Sequence, residues 1–304
     1  MLERLANTIR RPLLAAIAGL GLLAGCTKVE LAPHLQPLSK DTMMLLGTKG
    51  MDIPSPMFIR IFKEESELEV WKQRSDGRFY HLKTYPICNW SGGLGPKVRQ
   101  GDKQSPEGFY RVARDQMNPN SQFYLAFNLG FPNSYDRANK RTGDFLMVHG
   151  KCKSAGCYAM TDALIEEIYA LARESYIGGQ DGIQVHAMPF RMTDANMARH
   201  AADPWMPFWQ ILKQGYDHFE QTRLPPDVVV CQRQYQVNVR PQGGLTNVRI
   251  DPEGVCPVLE RPRIEPFTPA PGEQVATQQS LVPGPKMHLW GHTSMSAVGM
   301  SAKN

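Results

Sequence analysis

The segment with the clearest chemistry spans residues 148–161 and combines a histidine, a serine and a cysteine. His149 stands at the end of an apolar run, and Ser154-Ala155-Gly156-Cys157 then leads toward a helical pattern. A cysteine attacks as its thiolate, and a neighbouring imidazole can take the thiol proton. Gly156 allows the backbone to approach a substrate closely, so that amides near Cys157 can stabilise an oxyanion. The spacing predicts acyl transfer, with Cys157 as nucleophile and His149 as base.

Each of these side chains also has a structural interpretation. Cys157 can be a buried structural thiol and His149 a hydrogen-bonded core histidine, whereas Ser154 is better suited to orienting the loop than to attacking a substrate. The spacing His149-x2-Cys152-x4-Cys157 resembles part of a zinc site, but a fourth ligand and a second paired motif are absent from the sequence. We therefore expect neither a metal nor an organic cofactor.

The N-terminus has the pattern of an export signal. Basic residues precede an uncharged apolar run at residues 13–23, which is too short to span a bilayer. The run ends in Leu23-Ala24-Gly25-Cys26, which resembles the lipobox of bacterial lipoproteins, where the cysteine is lipidated. We expect a signal peptide at residues 1–25 and a lipid anchor on Cys26. Thr27, rather than Asp, follows this cysteine, which favours the periplasmic face of the outer membrane.

The remaining cysteines are odd in number, and they are Cys88, Cys152, Cys157, Cys231 and Cys256. Export places them in an oxidising compartment, so at least one thiol should be left unpaired. Cys231 and Cys256 flank a predicted hairpin, and we favour a disulfide between them. Cys88 and Cys152 either pair or stay as buried thiols, and a Cys152–Cys157 disulfide, which the spacing permits, would silence the nucleophile.

The active-site segment resembles that of the L,D-transpeptidase (YkuD-type) catalytic domains: His-Gly, a loop, then Ser/Thr-x-Gly-Cys. The resemblance extends to the YafK-like branch and covers about residues 57–240. Further matching segments are Tyr85-Pro86-Ile87-Cys88 with residues 92–97, Ser105-Pro106-Glu107-Gly108-Phe109-Tyr110, and residues 189–196. It implies that Cys157 attacks a peptidoglycan stem peptide at the carbonyl of the diamino acid. His149 would remove the thiol proton and later protonate the leaving amine.

Two positions depart from the pattern of many family members. Ala155 replaces a histidine, and Ala159 stands where an arginine is often credited with substrate contact. Arg141 and Arg191 are the candidates for binding a stem-peptide carboxylate, with a structural salt bridge as the alternative for each. The YafK-like branch shares these departures, and the resemblance associates it with removing a protein from peptidoglycan as well as with transfer.

Several short strands before the cysteine and helices after it predict an α+β fold. We expect a mostly antiparallel, barrel-like or sandwich-like catalytic core with helices following Cys157. The predicted organisation is a tether and short helix at residues 26–56, a catalytic domain with a helical extension at 57–256, and a disordered Pro-rich tail at 257–304. A helix should begin at Thr161 or Asp162 and end at Gly178-Gly179.

The sequence therefore predicts a lipid-anchored cysteine acyltransferase that acts on peptidoglycan stem peptides. The first alternative keeps the same residues but makes water the acceptor, so that the enzyme releases a covalently attached envelope protein. The second is an inactive peptidoglycan-binding lipoprotein. A papain-like protease is disfavoured, because there the cysteine precedes the histidine. The net charge is only +5 without a cluster of Lys and Arg, which argues against nucleic-acid binding.

Overall fold

A computed structural model of the protein describes residues 31–244 and 249–269. The predicted signal peptide, Cys26 and the chain from residue 270 onward lie outside the described residues. Within the described part, no helix is both long and apolar enough to cross a membrane.

The described chain alternates short strands with helices. The strands are β1 (Met57–Phe62), β2 (Glu67–Gln73), β3 (Phe79–Pro86), β4 (Asn89–Trp90), β5 (Gly108–Val112), β6 (Met117–Ser121), β7 (Tyr124–Asn128), β8 (Met147–His149), β9 (Tyr158–Ala159), β10 (Ile183–Met188), β11 (Val228–Cys231), β12 (Gln234–Val237), β13 (Arg240–Pro241) and β14 (Leu259–Glu260). The α-helices are α1 (Lys40–Thr48), α2 (Ser134–Ala138), α3 (Asp162–Ile177), α4 (Asp194–Arg199) and α5 (Met206–Thr222).

Two five-stranded sheets carry the fold. The first has the order β3-β2-β1-β10-β5 and the second β4-β9-β8-β7-β6. Only β1–β10 and β8–β9 pair in parallel within them, and the other neighbours are antiparallel. The predicted α+β class with mostly antiparallel sheets is confirmed. In the described residues both sheets stay open, so the core is not a closed barrel.

Helix α3 packs in the core that both sheets share. Ile59 of β1, Val148 of β8 and Ile168 of α3 are all fully or almost fully buried in this one cluster. As predicted, α3 begins after Thr161, whose hydroxyl accepts the amide of Leu164, and it ends at Gly178. This packing fixes β8, and with it the start of the candidate site, against the centre of the domain.

Helix α5 covers the opposite face of the first sheet. Side chains alternate along β1, so Ile59 faces α3 while Phe62 joins the cluster that contains Trp209 and Tyr216 of α5. Both faces of β1 are therefore covered, which explains why every residue of this strand is buried. Helices α4 and α5 follow β10, and Pro207 lies in the first turn of α5, where its missing N–H costs nothing.

The C-terminal part of the domain is a disulfide-linked hairpin. Strands β11 and β12 pair antiparallel, and the predicted Cys231–Cys256 disulfide is confirmed. Residues 257–269, which composition assigned to the disordered tail, lie against the domain instead. Strand β14 pairs with β13, and the Phe267 amide donates to the Gln221 carbonyl at 2.7 Å.

Candidate active site

The parallel pairing of β8 with β9 brings the histidine and the cysteine to one face of the second sheet. Val148 lies opposite Tyr158, and His149 lies opposite Ala159. Cys157 comes two residues before Ala159, so the same register gives it the face of the sheet that His149 has. Paired residues share a face and successive residues alternate. Strand spacing and rise place the Cα atoms of His149 and Cys157 about 8 Å apart, within reach for their side chains. The two residues predicted to act together therefore stand on adjacent segments, His149 at the end of β8 and Cys157 just before β9.

The loop between them is held by a disulfide. Cys152 pairs with Cys88, which precedes β4, and the Cys152 amide donates to the Met160 carbonyl at 3.1 Å. This pairing resolves the alternatives that the sequence left open, because Cys152 is unavailable to Cys157. Among the described cysteines, Cys157 alone keeps a free thiol.

Two serine hydroxyls fix the backbone at the cysteine. Ser154 Oγ donates to the Cys157 carbonyl at 2.7 Å, and Ser105 Oγ donates to the same oxygen at 3.0 Å. Ser154 Oγ also lies 3.2 Å from Ser91 Oγ. Ser154 thus has the orienting role that the sequence favoured. The contribution of Ser105 was missed, although its Ser-Pro-Glu-Gly segment was noticed, because the contact spans 52 residues of chain.

Gly156 supplies a backbone conformation that other residues rarely adopt. Its φ is +127°, and an added β-carbon would lie 3.2 Å from Leu146 Cδ1. The Gly156 amide donates to Ser154 Oγ over a long 3.3 Å. In this conformation the amide points toward its own loop. To stabilise an oxyanion, as predicted, the amide would have to give up its weak hydrogen bond to Ser154 and donate to the substrate oxygen instead.

His149 is held in the tautomer that a general base needs. Its Nδ1 lies 2.6 Å from the Gly150 carbonyl oxygen, which can only accept, so Nδ1 carries the proton and Nε2 keeps the lone pair. The ring is 2% exposed and lies 4.7 Å from the Phe123 ring. Burial lowers the pKa of His149, while the bond to Gly150 opposes that shift. The imidazole is therefore neutral at pH 7.

The Cys157 side chain rests as a thiol rather than a thiolate. Burial raises the pKa of Cys157, against the opposing effects of the Met147 amide and the positive charge of Lys97. The Met147 amide donates to Sγ at 3.4 Å, and Sγ lies 3.6 Å from the Phe145 carbonyl. A neutral thiol beside a neutral imidazole is a pair in which attack requires proton transfer to the histidine.

The two arginines considered for substrate binding lie in ion pairs within the protein. Arg141 Nη1 contacts Asp136 at 3.0 Å, and the guanidinium stacks on aromatic rings. Arg191 contacts Glu67 at 2.5 Å and Glu69 at 2.6 Å. These are the structural salt bridges of the alternative interpretation, and neither guanidinium offers a free fork to a ligand.

Two further observations concern the side chain at position 159 and the groups that could bind a metal ion. Ala159 is fully buried between β4 and β8, so this position presents a methyl group inside the sheet and no cation. In the part of the chain that the structure describes, no cluster of three His, Cys, Asp or Glu side chains could hold a metal ion.

Comparisons with known proteins identify the family of this chain. The family described as L,D-transpeptidase catalytic domain (YkuD) matches residues 57–214. The protein named "Putative L,D-transpeptidase YafK" of Escherichia coli K12 is 44% identical over 238 residues, which cover 78% of this chain and 91% of that protein. The same name and figures apply to Escherichia coli O157:H7.

Solved structures of the helical cell shape determining protein Pgp2 from Campylobacter jejuni are more distant. A mutant form gives a TM-score of 0.38 at 19% identity, covering 64% of this chain and 66% of that chain. A second structure gives 0.36 at 16% identity, covering 70% and 85%. The family match and the identity to YafK together show that this chain belongs to the L,D-transpeptidase (YkuD) catalytic domain family.

Proposed function

We propose that the protein is a cysteine acyltransferase that acts on peptidoglycan stem peptides. Membership of the family supports an L,D-transpeptidase-type function in peptidoglycan modification. The observation that carries the proposal is the free Cys157 thiol one strand away from His149, whose Nδ1 is fixed by the Gly150 carbonyl.

The acylation step uses the neutral pair directly. Cys157 Sγ attacks the carbonyl carbon of the stem peptide as His149 Nε2 takes the thiol proton. The Met147 amide and the charge of Lys97 stabilise the developing thiolate. The tetrahedral intermediate then collapses, the carbon–nitrogen bond breaks, and His149 returns its proton to the leaving amine. The product is a thioester on Cys157.

The second step decides the reaction class. An amine acceptor loses a proton to His149, attacks the thioester and gives a new amide, with release of the Cys157 thiol. Water in the same position gives hydrolysis, which would release an attached envelope protein. Hydrolysis is retained as the second candidate. Many family members have an arginine for substrate contact where this chain has the buried Ala159, so the choice of acceptor need not follow theirs.

We also propose a periplasmic location with a lipid anchor at Cys26, on the outer membrane. Two disulfides in the described part of the chain favour an oxidising compartment. Metabolic labelling with palmitate should mark the wild-type protein and leave Cys26→Ser unlabelled. Equal labelling of both would exclude the anchor.

The experiment for the reaction presents two substrates to the full-length protein in detergent. Tetrapeptide muropeptides and sacculi bearing attached protein are incubated with wild type and Cys157→Ala, and the products are identified by mass spectrometry. An acyl adduct on Cys157 with cross-linked or exchanged peptides supports the transferase. Release of tripeptide or protein without exchange supports the hydrolase. No adduct and no product from folded protein would leave the inactive binding lipoprotein.

A further inference from the structure

A cavity of about 380 Å³ opens on the loop before β5, and we call it the side cavity. Its walls combine apolar, aromatic and charged side chains, and they are Leu94, Pro96, Val98, Arg99, Asp102, Gln104 and Trp205. A concave site that combines apolar walls with convergent polar groups is a usual form of ligand site.

The loop that lines the side cavity also reaches the backbone of Cys157. Ser105, the residue after Gln104, donates its hydroxyl to the Cys157 carbonyl at 3.0 Å. The Gln104 carbonyl oxygen lies 3.6 Å from the point where a β-carbon on Gly156 would stand. The Thr142 amide donates to the Val98 carbonyl at 3.0 Å, so the loop also packs on the segment that leads into β8. The loop that lines the cavity therefore packs against the backbone of Gly156 and Cys157.

The loop that forms the cavity is rigid before any ligand arrives. One oxygen of the Asp102 carboxylate accepts the amides of Val98 and Arg99, each at 2.9 Å, and the other accepts the Gln104 amide at 3.0 Å. Gln104 Nε2 donates to the carbonyls of Gly93 and Gly95, each at 2.6 Å. These bonds within the loop supply preorganisation, which lowers the cost of binding.

Two donors in the side cavity have no protein partner. The Arg99 side chain is exposed, and it forms neither an ion pair nor a hydrogen bond with another residue in the described ranges. The Trp205 indole N–H likewise has no acceptor among the described residues, and Gly95 allows the ring to lie directly against the loop. By contrast, the ammonium of Lys97 already pairs with the Asp102 carboxylate at 2.5 Å. Arg99 is thus a cation left available for a ligand.

We propose that the side cavity binds the donor stem peptide, with Arg99 pairing to one of its carboxylates and Trp205 packing on the peptide. This inference rests on the proposed function and gives its substrate site a specific location. Arg99 supplies the carboxylate contact that Ala159 cannot make and that Arg141 and Arg191 do not offer. The guanidinium fork matches a carboxylate in two parallel hydrogen bonds.

Binding is measured by calorimetry on the full-length Cys157→Ala protein in detergent, with a free tetrapeptide stem as the probe. Adding Arg99→Gln should weaken binding about tenfold, the size of one lost charge-assisted hydrogen bond. Arg99→Lys should recover part of the loss. Lys103→Gln removes the same charge from an exposed position of the same loop that does not line the cavity, and it should leave binding unchanged. A tetrapeptide with amidated carboxylates should bind equally to the proteins with and without the Arg99→Gln substitution.

Equal weakening by Arg99→Gln and Lys103→Gln would overturn the inference, because it would show only general charge attraction. So would the absence of tetrapeptide binding, or binding of peptide-free glycan strands with the same dependence on Arg99. The acyl adduct on wild-type Cys157 is scored separately. Arg99-dependent binding without any adduct would sink the proposed reaction and leave the binding site standing.

Discussion

The buried Lys63–Glu107 pair behind the site gives the sharpest test of this structure. Both side chains have no exposed surface and are 2.9 Å apart. Lys63 Nζ also donates to the carbonyls of Gly95 and Ser105, each at 2.9 Å. Glu107 accepts the Gly95 amide at 2.8 Å and the Trp209 indole at 2.9 Å. One ion pair thus joins β1, the loop of the side cavity and helix α5.

We expect Glu107→Gln to lower the free energy of unfolding by about 3–5 kcal/mol, because Lys63 is then left buried without a counter-charge. Burial already lowers the pKa of Lys63, against the opposing effect of Glu107, which shows how costly the charge is at this place. Lys63→Met should cost a similar amount by leaving the carboxylate unpaired. The double variant should cost less than the sum by about 1–3 kcal/mol.

Urea denaturation at pH 7 of the wild type, the two single variants and the double variant measures these free energies of unfolding. The dependence of the free energy on urea concentration should be the same for all four, which shows that only stability differs. Glu253→Gln is the matched control, because Glu253 pairs with Arg233 where both side chains are about half exposed. It should change stability by less than about 1 kcal/mol. Single variants at Lys63 or Glu107 that cost no more than this control, or costs that simply add, would refute the reasoning.

The site and a buried histidine give three further predictions. Burial lowers the pKa of His149, so kcat/KM should fall only below about pH 6.5. Burial raises the pKa of Cys157, so alkylation of the thiol by iodoacetamide should speed up only near or above about pH 9. An alkylation rate that is already at its plateau at neutral pH would contradict the neutral pair. Ser105→Ala and Ser154→Ala should each reduce kcat about 2- to 10-fold. The double variant should lose more than the product of the two single losses, because each hydroxyl can hold the Cys157 carbonyl when the other is absent. A double variant no slower than either single variant would contradict this. Burial lowers the pKa of His186 to about 3, so the unfolded chain takes up this proton first and stability is lost as the pH falls below about 6.5, by about 2 kcal/mol at pH 5. In urea denaturation at both pH values, His186→Leu should remove that part of the acid sensitivity, and an unchanged sensitivity would count against it.

Local patterns were enough to predict the family and the class of fold. The largely apolar run of β1 and the apolar spacing of α3 reflect which faces each element buries, so both elements could be predicted from neighbouring residues. The cap at Thr161 and the stop at Gly178 depend on interactions within one turn of helix. The His149 to Cys157 segment carries its reactive groups within nine residues, which made the acyl-transfer prediction possible.

Contacts between distant parts of the chain decided the rest. Arg191 meets Glu67 across 124 residues, and no spacing rule indicates that this guanidinium is already paired. Cys88 and Cys152 lie 64 residues apart, so the pairing that keeps Cys157 free depends on β4 reaching β9. The sequence by itself determined the family and the class of fold and predicted the reactive residues, because those depend on short-range chemistry and periodicity. Only the tertiary structure decided which charges are neutralised inside the protein and that Arg99 is left for a ligand, because burial and pairing arise where separate elements pack together.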